Sequence, residues 1–101
     1  MTTPEKKVKD KVRKILAEHG VYNFMPATHG YGRSGVPDII ACFNGRFIAI
    51  ETKAGKGTTT TLQERELALI RKSGGVTMVI NETNLHELQQ YLGSFDEEGR
   101  G

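Results

Sequence analysis

Asp38, Glu51 and Lys53 are the residues whose types and spacing point most directly to chemistry. They belong to two runs rich in Ile and Phe, Val36 to Phe43 and Arg46 to Lys53, joined by Asn44-Gly45. Asn-Gly between two apolar runs is a strong hairpin signal, because both residues accept the positive φ of a tight type I′ turn. A two-residue turn also fixes the register. Phe43 then faces Arg46, and every pair of residue numbers summing to 89 stays opposed. Asp38 and Glu51 form such a pair, so two carboxylates are expected face to face, with Cβ atoms about 5 Å apart. Lys53 lies two residues past Glu51 and shares its face.

Opposed carboxylates repel unless something positive lies between them. A hard divalent cation answers that need, since Mg²⁺ is held by one or two carboxylates together with waters and phosphate oxygens. Lys53 is a second positive group, able to stabilise a developing anion. The competing reading is a solvated ion-pair cluster at the open end of the hairpin. The neighbours argue against it: Ile40, Cys42, Phe47 and Ala49 share the acidic face, and Ile39, Ala41, Ile48 and Ile50 line the other. The hairpin is therefore expected to be buried on both faces, where charges need partners.

The elements that must hold this hairpin follow from periodicity. Val8, Val12, Ile15 and Leu16 recur at helical spacing within residues 4–18, with Thr3 as N-cap, Pro4 at the first helical position and Gly20 as the stop. Glu5 falls on the inward side of that helix. Residues 21–25 suit a short strand, and 26–35 form a loop by composition. Thr61 to Glu64 reads as a capping box opening a helix to about Ser73, with Leu62, Leu69 and Ile70 inward and Gly74 as the stop. Val76 to Ile80 is a strand, and Asn84 caps a last helix carrying Leu85, Leu88 and Leu92. The expectation is an α/β fold of order αβββαβα, a central mixed sheet flanked by helices. One domain spans residues 1–93, and 94–101 form a flexible tail.

With 37% hydrophobic and 26% charged residues, the composition is that of a globular domain rather than a disordered one. At 101 residues the core is thin, so a partner subunit would help. The net charge of +2 is compatible with nucleic acid without demanding it. The single cysteine, Cys42, excludes an internal disulfide, favours a reducing compartment and is expected as a buried structural thiol. No apolar stretch approaches the ~20 residues of a membrane span, and no signal-peptide pattern opens the chain.

Gly35-Val36-Pro37-Asp38, twelve further residues and then Glu51-Thr52-Lys53 resemble the PD-(D/E)xK nuclease signature. With Glu5 in the first helix and Gln63 opening the next, residues 5–92 resemble the virus-type replication-repair nuclease (VRR-NUC) family, in its stand-alone phage or bacterial form. The resemblance implies a restriction-endonuclease-like core. It also implies a Mg²⁺-dependent endonuclease acting on DNA, branched DNA such as four-way (Holliday) junctions above all, with Mn²⁺ substituting. Asp38, Glu51 and the Thr52 carbonyl would bind the metal, with Glu5 reaching it directly or through water. Lys53 would orient the attacking water or stabilise phosphate charge, and Gln63 would support Lys53 or the substrate. A homodimer would present two sites to one junction, in the cytoplasm of a bacterial or phage-infected cell.

Arg33, Ser34 and Lys56 are candidates for the DNA backbone, which takes contacts from Arg, Ser and main-chain amides. His29 reads as a solvated loop residue. The lysines and arginines between Lys6 and Lys14 read as a solvated helix face with an electrostatic contribution at most. Three other functions stay open: a sequence-specific restriction-type endonuclease, for which so short a chain leaves little base readout; an RNA endonuclease; and a non-catalytic nucleic-acid-binding module, which has no need of the Asp38, Glu51, Lys53 set.

Overall fold

The computed structural model describes residues 2–27 and 32–97, so His29 lies outside the described residues. Among the described residues seven elements follow the expected order: α1 (Pro4–Glu18), β1 (Tyr22–Phe24), β2 (Ile39–Phe43), β3 (Arg46–Thr52), α2 (Thr61–Lys72), β4 (Val76–Ile80) and α3 (Leu85–Glu97). The strands form one mixed sheet in the order β1-β2-β3-β4, parallel only between β3 and β4, which the α2 crossover joins. The α/β class and the flanking helices are as the sequence predicts. α3 runs to Glu97, four residues past the expected domain boundary at 93.

Local chemistry accounts for α1. Thr3 Oγ1 accepts a hydrogen bond from the Lys6 amide at 3.1 Å, and Pro4 needs no partner at the first helical position. Val8, Val12, Ile15 and Leu16 form its buried stripe. That stripe meets Ile39, Ala41 and Phe43 of β2, Ile48 and Ile50 of β3, Ile80 of β4, and Leu88 and Leu92 of α3. One face of the sheet is thereby sealed by α1 and α3.

The β2–β3 hairpin has the expected turn and register. Asn44 and Gly45 both take positive φ, 53° and 78°. The pairs run from Phe43↔Arg46 to Ile39↔Ile50, each summing to 89. The expectation of burial on both faces fails, however. α2 is the helix on the second face and packs against β4, leaving the β1–β2 half open. Tyr22 and Phe47 are 71% and 48% exposed, and Cys42, paired with both in register, is exposed rather than buried.

α2 also differs from its predicted orientation. The N-cap is Thr60, not Thr61. Its hydroxyl accepts from the Gln63 amide, and the Gln63 side chain accepts from the Thr60 amide at 2.9 Å. Leu62 and Leu69, expected inward, are each 44% exposed, while Glu66 and Leu67 are buried. The helix is turned so that Gln63 and Glu66 face the sheet and the loop. The apolar stripe at positions 62 and 69 yields to two polar side chains that find partners inside.

The loop before β2 is seated against the start of α2 at Gly35. Its φ is +76°, and a Cβ there would lie 2.5 Å from Leu62 O and 2.9 Å from Gln63 N, both backbone atoms. Gly35→Ala is therefore expected to cost about 2–4 kcal/mol, from positive φ and overpacking together. Urea unfolding against wild type measures it; a cost below about 0.5 kcal/mol means that the contact is dispensable.

Candidate active site

Glu51 lies in the central strand β3 and is 2% exposed. Burial of a carboxylate without full compensation favours its neutral form. Desolvation, the nearby Asp38 carboxylate and its contact with Glu51 raise the Glu51 pKa to about 7, against the opposing pull of Lys53. One oxygen is provided for: Oε2 accepts from Gln63 Nε2 at 2.8 Å and lies 3.5 Å from Lys53 Nζ. Oε1 is buried and has no hydrogen-bond partner among the described residues.

Asp38 sits one residue before β2, so the ladder stops at Ile39↔Ile50, just short of an Asp38–Glu51 pair. Its side chain reaches along β3 instead. Oδ2 accepts from the Thr52 amide at 2.9 Å and from the Thr52 hydroxyl at 2.8 Å. Oδ1 takes neither bond and lies 3.8 Å from Lys9 Nζ. The expected juxtaposition of acids is present, but its compensation is divided. Lys53 stands by Glu51 and Lys9 by Asp38, and the raised pKa of Glu51 lets a proton relieve the pair.

The structure thus brings together Asp38, Glu51, Thr52, Lys53 and Gln63, all expected from the sequence. It does not bring Glu5 to them through any described contact, and among the described residues no group of three or more His, Cys, Asp or Glu is placed to hold a metal ion by itself. Two side chains outside the expected set enter the site. Lys9 was expected on a solvated face, yet it is only 28% exposed and lines a groove of about 450 Å³ with Arg33, Ser34, Asp38 and Gln63. Glu66, buried in α2, accepts three hydrogen bonds of 2.7–3.1 Å from Arg33 Nε and Nη2. That fork holds the Glu66 carboxyl below its ordinary range and pins the loop carrying Gly35 to Asp38 against α2. Arg33 stays 64% exposed, with its guanidinium already engaged. Spacing alone gave no sign of Glu66; an Arg–Glu pair 33 residues apart is visible only once the loop is folded. Lys56 is exposed, in the turn closed by the Gly57 amide on Ala54 O and by the Gly55 amide on Glu82.

The donor set fits a divalent ion. One lone oxygen on each of two carboxylates, Glu51 Oε1 and Asp38 Oδ1, is left over after the protein's own hydrogen bonds, and hard cations take such oxygens with water completing the shell.

Comparison with known proteins bears on the fold and the family. The chain is similar over 88% of its length, and over 97% of the other, to a solved structure described as a VRR_NUC domain, at a TM-score of 0.77 and 23% identity. It is similar over 72% of its length, and 67% of the other, to Hjc of Archaeoglobus fulgidus, a Holliday junction resolvase from an archaeal hyperthermophile, at 0.50 and 22%. Among curated proteins no significant match is found. The fold is that of the VRR_NUC domain. Residues 5–84, the span of the helix, hairpin and crossover that build the site, match the sequence model of the archaeal Holliday junction resolvases, and the chain belongs to that family (Hjc).

Proposed function

We propose that this chain is a Mg²⁺-dependent, structure-specific endodeoxyribonuclease that hydrolyses phosphodiester bonds in branched DNA, four-way junctions in particular. The observation that carries the reading is the pair of spare oxygens, Glu51 Oε1 and Asp38 Oδ1, on carboxylates each beside a lysine, with Asp38 and Lys9 lining a groove. Asp38 and Glu51 are the residues to hold the ion, with Mn²⁺ able to substitute and the Thr52 carbonyl as a further ligand. A divalent ion there would supply charge neutralisation at the phosphodiester and lower the pKa of a water.

The protein's own residues supply the rest. Thr52 orients Asp38 through two hydrogen bonds. Gln63 orients Glu51 while completing the helix cap, so the start of α2 and the carboxylate are fixed together. Lys53, 12% exposed, is placed to hold a water or to receive phosphate charge. Ser34, Lys56 and the exposed edge of Arg33 are suited to the DNA backbone. Glu5, on the first turn of α1, would reach the ion directly or through water. A homodimer would set two such sites on one junction, in the cytoplasm. Among the described residues no helix is long and apolar enough to cross a membrane.

Asp38→Ala and Lys53→Ala are each expected to lower cleavage of a labelled four-way junction at least about a hundredfold, with circular dichroism unchanged. Tight junction binding by the wild type with no cleavage in Mg²⁺ or Mn²⁺ would instead identify a binding module. Linear duplex cut as fast as the junction would remove structure specificity.

The raised pKa of Glu51 gives a second outcome. Between about 4.5 and about 7 the folded protein keeps a proton that the unfolded chain has lost, so the Glu51 contribution to stability falls as pH rises through that interval. Glu51→Gln should flatten this slope in the metal-free protein, read from urea midpoints across the same interval. Mn²⁺ affinity of the wild type should climb over the same range, because the ion must displace that proton. An affinity independent of pH there would mean that Glu51 is ionised throughout.

A further inference from the structure

Each carboxylate of the site has one oxygen fixed by the protein and one left over, and the two lysines divide differently between them. Lys53 Nζ lies 3.5 Å from Glu51 Oε2, the oxygen already bound by Gln63, and leaves Oε1 clear. Lys9 Nζ lies 3.8 Å from Asp38 Oδ1, the oxygen that Thr52 does not hold. One lysine thus supports the fixed side of the pair, and the other stands where a cation would bind. The Lys9 contact exceeds hydrogen-bond length, so little is lost in breaking it. It is nonetheless no free surface charge, since Lys9 and Asp38 are 28% and 21% exposed. Its helix neighbours behave differently. Lys6 pairs with Asp10 at the surface, both more than half exposed, and Lys7 and Lys11 line a separate groove with Gly55 and Glu82.

We propose that Lys9 is a place-holding cation. Its ammonium neutralises Asp38 Oδ1 in the metal-free protein and is displaced by the incoming divalent ion. It is then free to take a DNA phosphate in the groove that it lines with Arg33 and Ser34. The inference rests on the nuclease reading above and adds an order of events to it. Before metal arrives, Lys9 relieves the repulsion between Asp38 and Glu51. Once metal is bound, its charge repels an ammonium beside the same oxygen, and a long, flexible lysine is the one that moves.

The test reads metal binding apart from activity. Mn²⁺ is titrated into DNA-free protein by calorimetry for wild type, Lys9→Met, Lys9→Arg, Lys11→Met and Asp38→Ala. Lys9→Met should bind Mn²⁺ about fivefold more tightly than wild type, while Lys9→Arg and Lys11→Met stay within about twofold. Asp38→Ala should bind far more weakly than all of them. If Lys9→Met fails to fold, Lys9→Gln takes its place. Equal affinities for wild type and Lys9→Met, with binding still lost in Asp38→Ala, overturn the place-holder and leave the metal site standing. No Mn²⁺ binding by the wild type removes both. For the second half, Lys9→Met should reduce the slope of log Kd against log salt for a four-way junction by about one, measured in Ca²⁺. An unchanged slope shows that Lys9 takes no phosphate.

Discussion

A carboxylate that is 2% exposed, set in the central strand beside a second carboxylate, is the constraint to which the surrounding structure answers. Neither burial nor like charge favours the ionised form of Glu51, and the fold removes neither. It divides the cost instead: a proton held up to about pH 7, an amide from Gln63 and an ammonium from Lys53 on one oxygen, and for Asp38 the amide and hydroxyl of Thr52 with Lys9 beyond. The donors come from three local structures, α1, the end of β3 and the start of α2. The site therefore exists only when α1, the hairpin and α2 are all in place.

This dependence explains the orientation of α2. A helix free to maximise apolar burial would turn Leu62 and Leu69 toward the sheet. Here Gln63 and Glu66 take the inward side, and Leu67 alone is the fully buried apolar residue of the helix. Hydrophobic burial of two leucines is worth about 3–6 kcal/mol when complete. The inward polar residues forgo part of that and gain a fixed Glu51 and a fixed 32–38 loop. Gly35 belongs to the same arrangement, since only a residue without Cβ lets the loop touch the first turn of α2.

The order of elements, the Asn44-Gly45 turn, the hairpin register and the Asp38–Glu51–Lys53 grouping were all readable from the sequence, because each depends on local pattern or on one tight turn. What could not be read depended on contacts across long separations. Cys42 reads as buried from its apolar neighbours, but whether a helix covers that half of the sheet is decided by where α2 crosses, not by β2. Lys9 looks like one of many helix lysines until the Asp38 turn is placed beside it. Arg33 and Glu66 carry no signal in either segment taken alone. The capping box falls one residue earlier than the pattern suggests because Thr60 and Thr61 offer equivalent hydroxyls, and the Thr60 frame is the one in which Gln63 also reaches Glu51.

The two faces of the sheet divide the work. The face under α1 and α3 holds the core cluster and carries stability, while the other holds Glu51 and Lys53 and stays partly open over β1 and β2. α1 belongs to both. Val8 and Val12 are buried in the core, and Lys9 between them reaches Asp38. A helix anchored by its apolar stripe has little freedom to move its backbone, so a change at Asp38 must be absorbed by the lysine side chain, with its four rotatable carbons, rather than by the helix. Rigid backbone and mobile charge are thus separated within a single turn of α1.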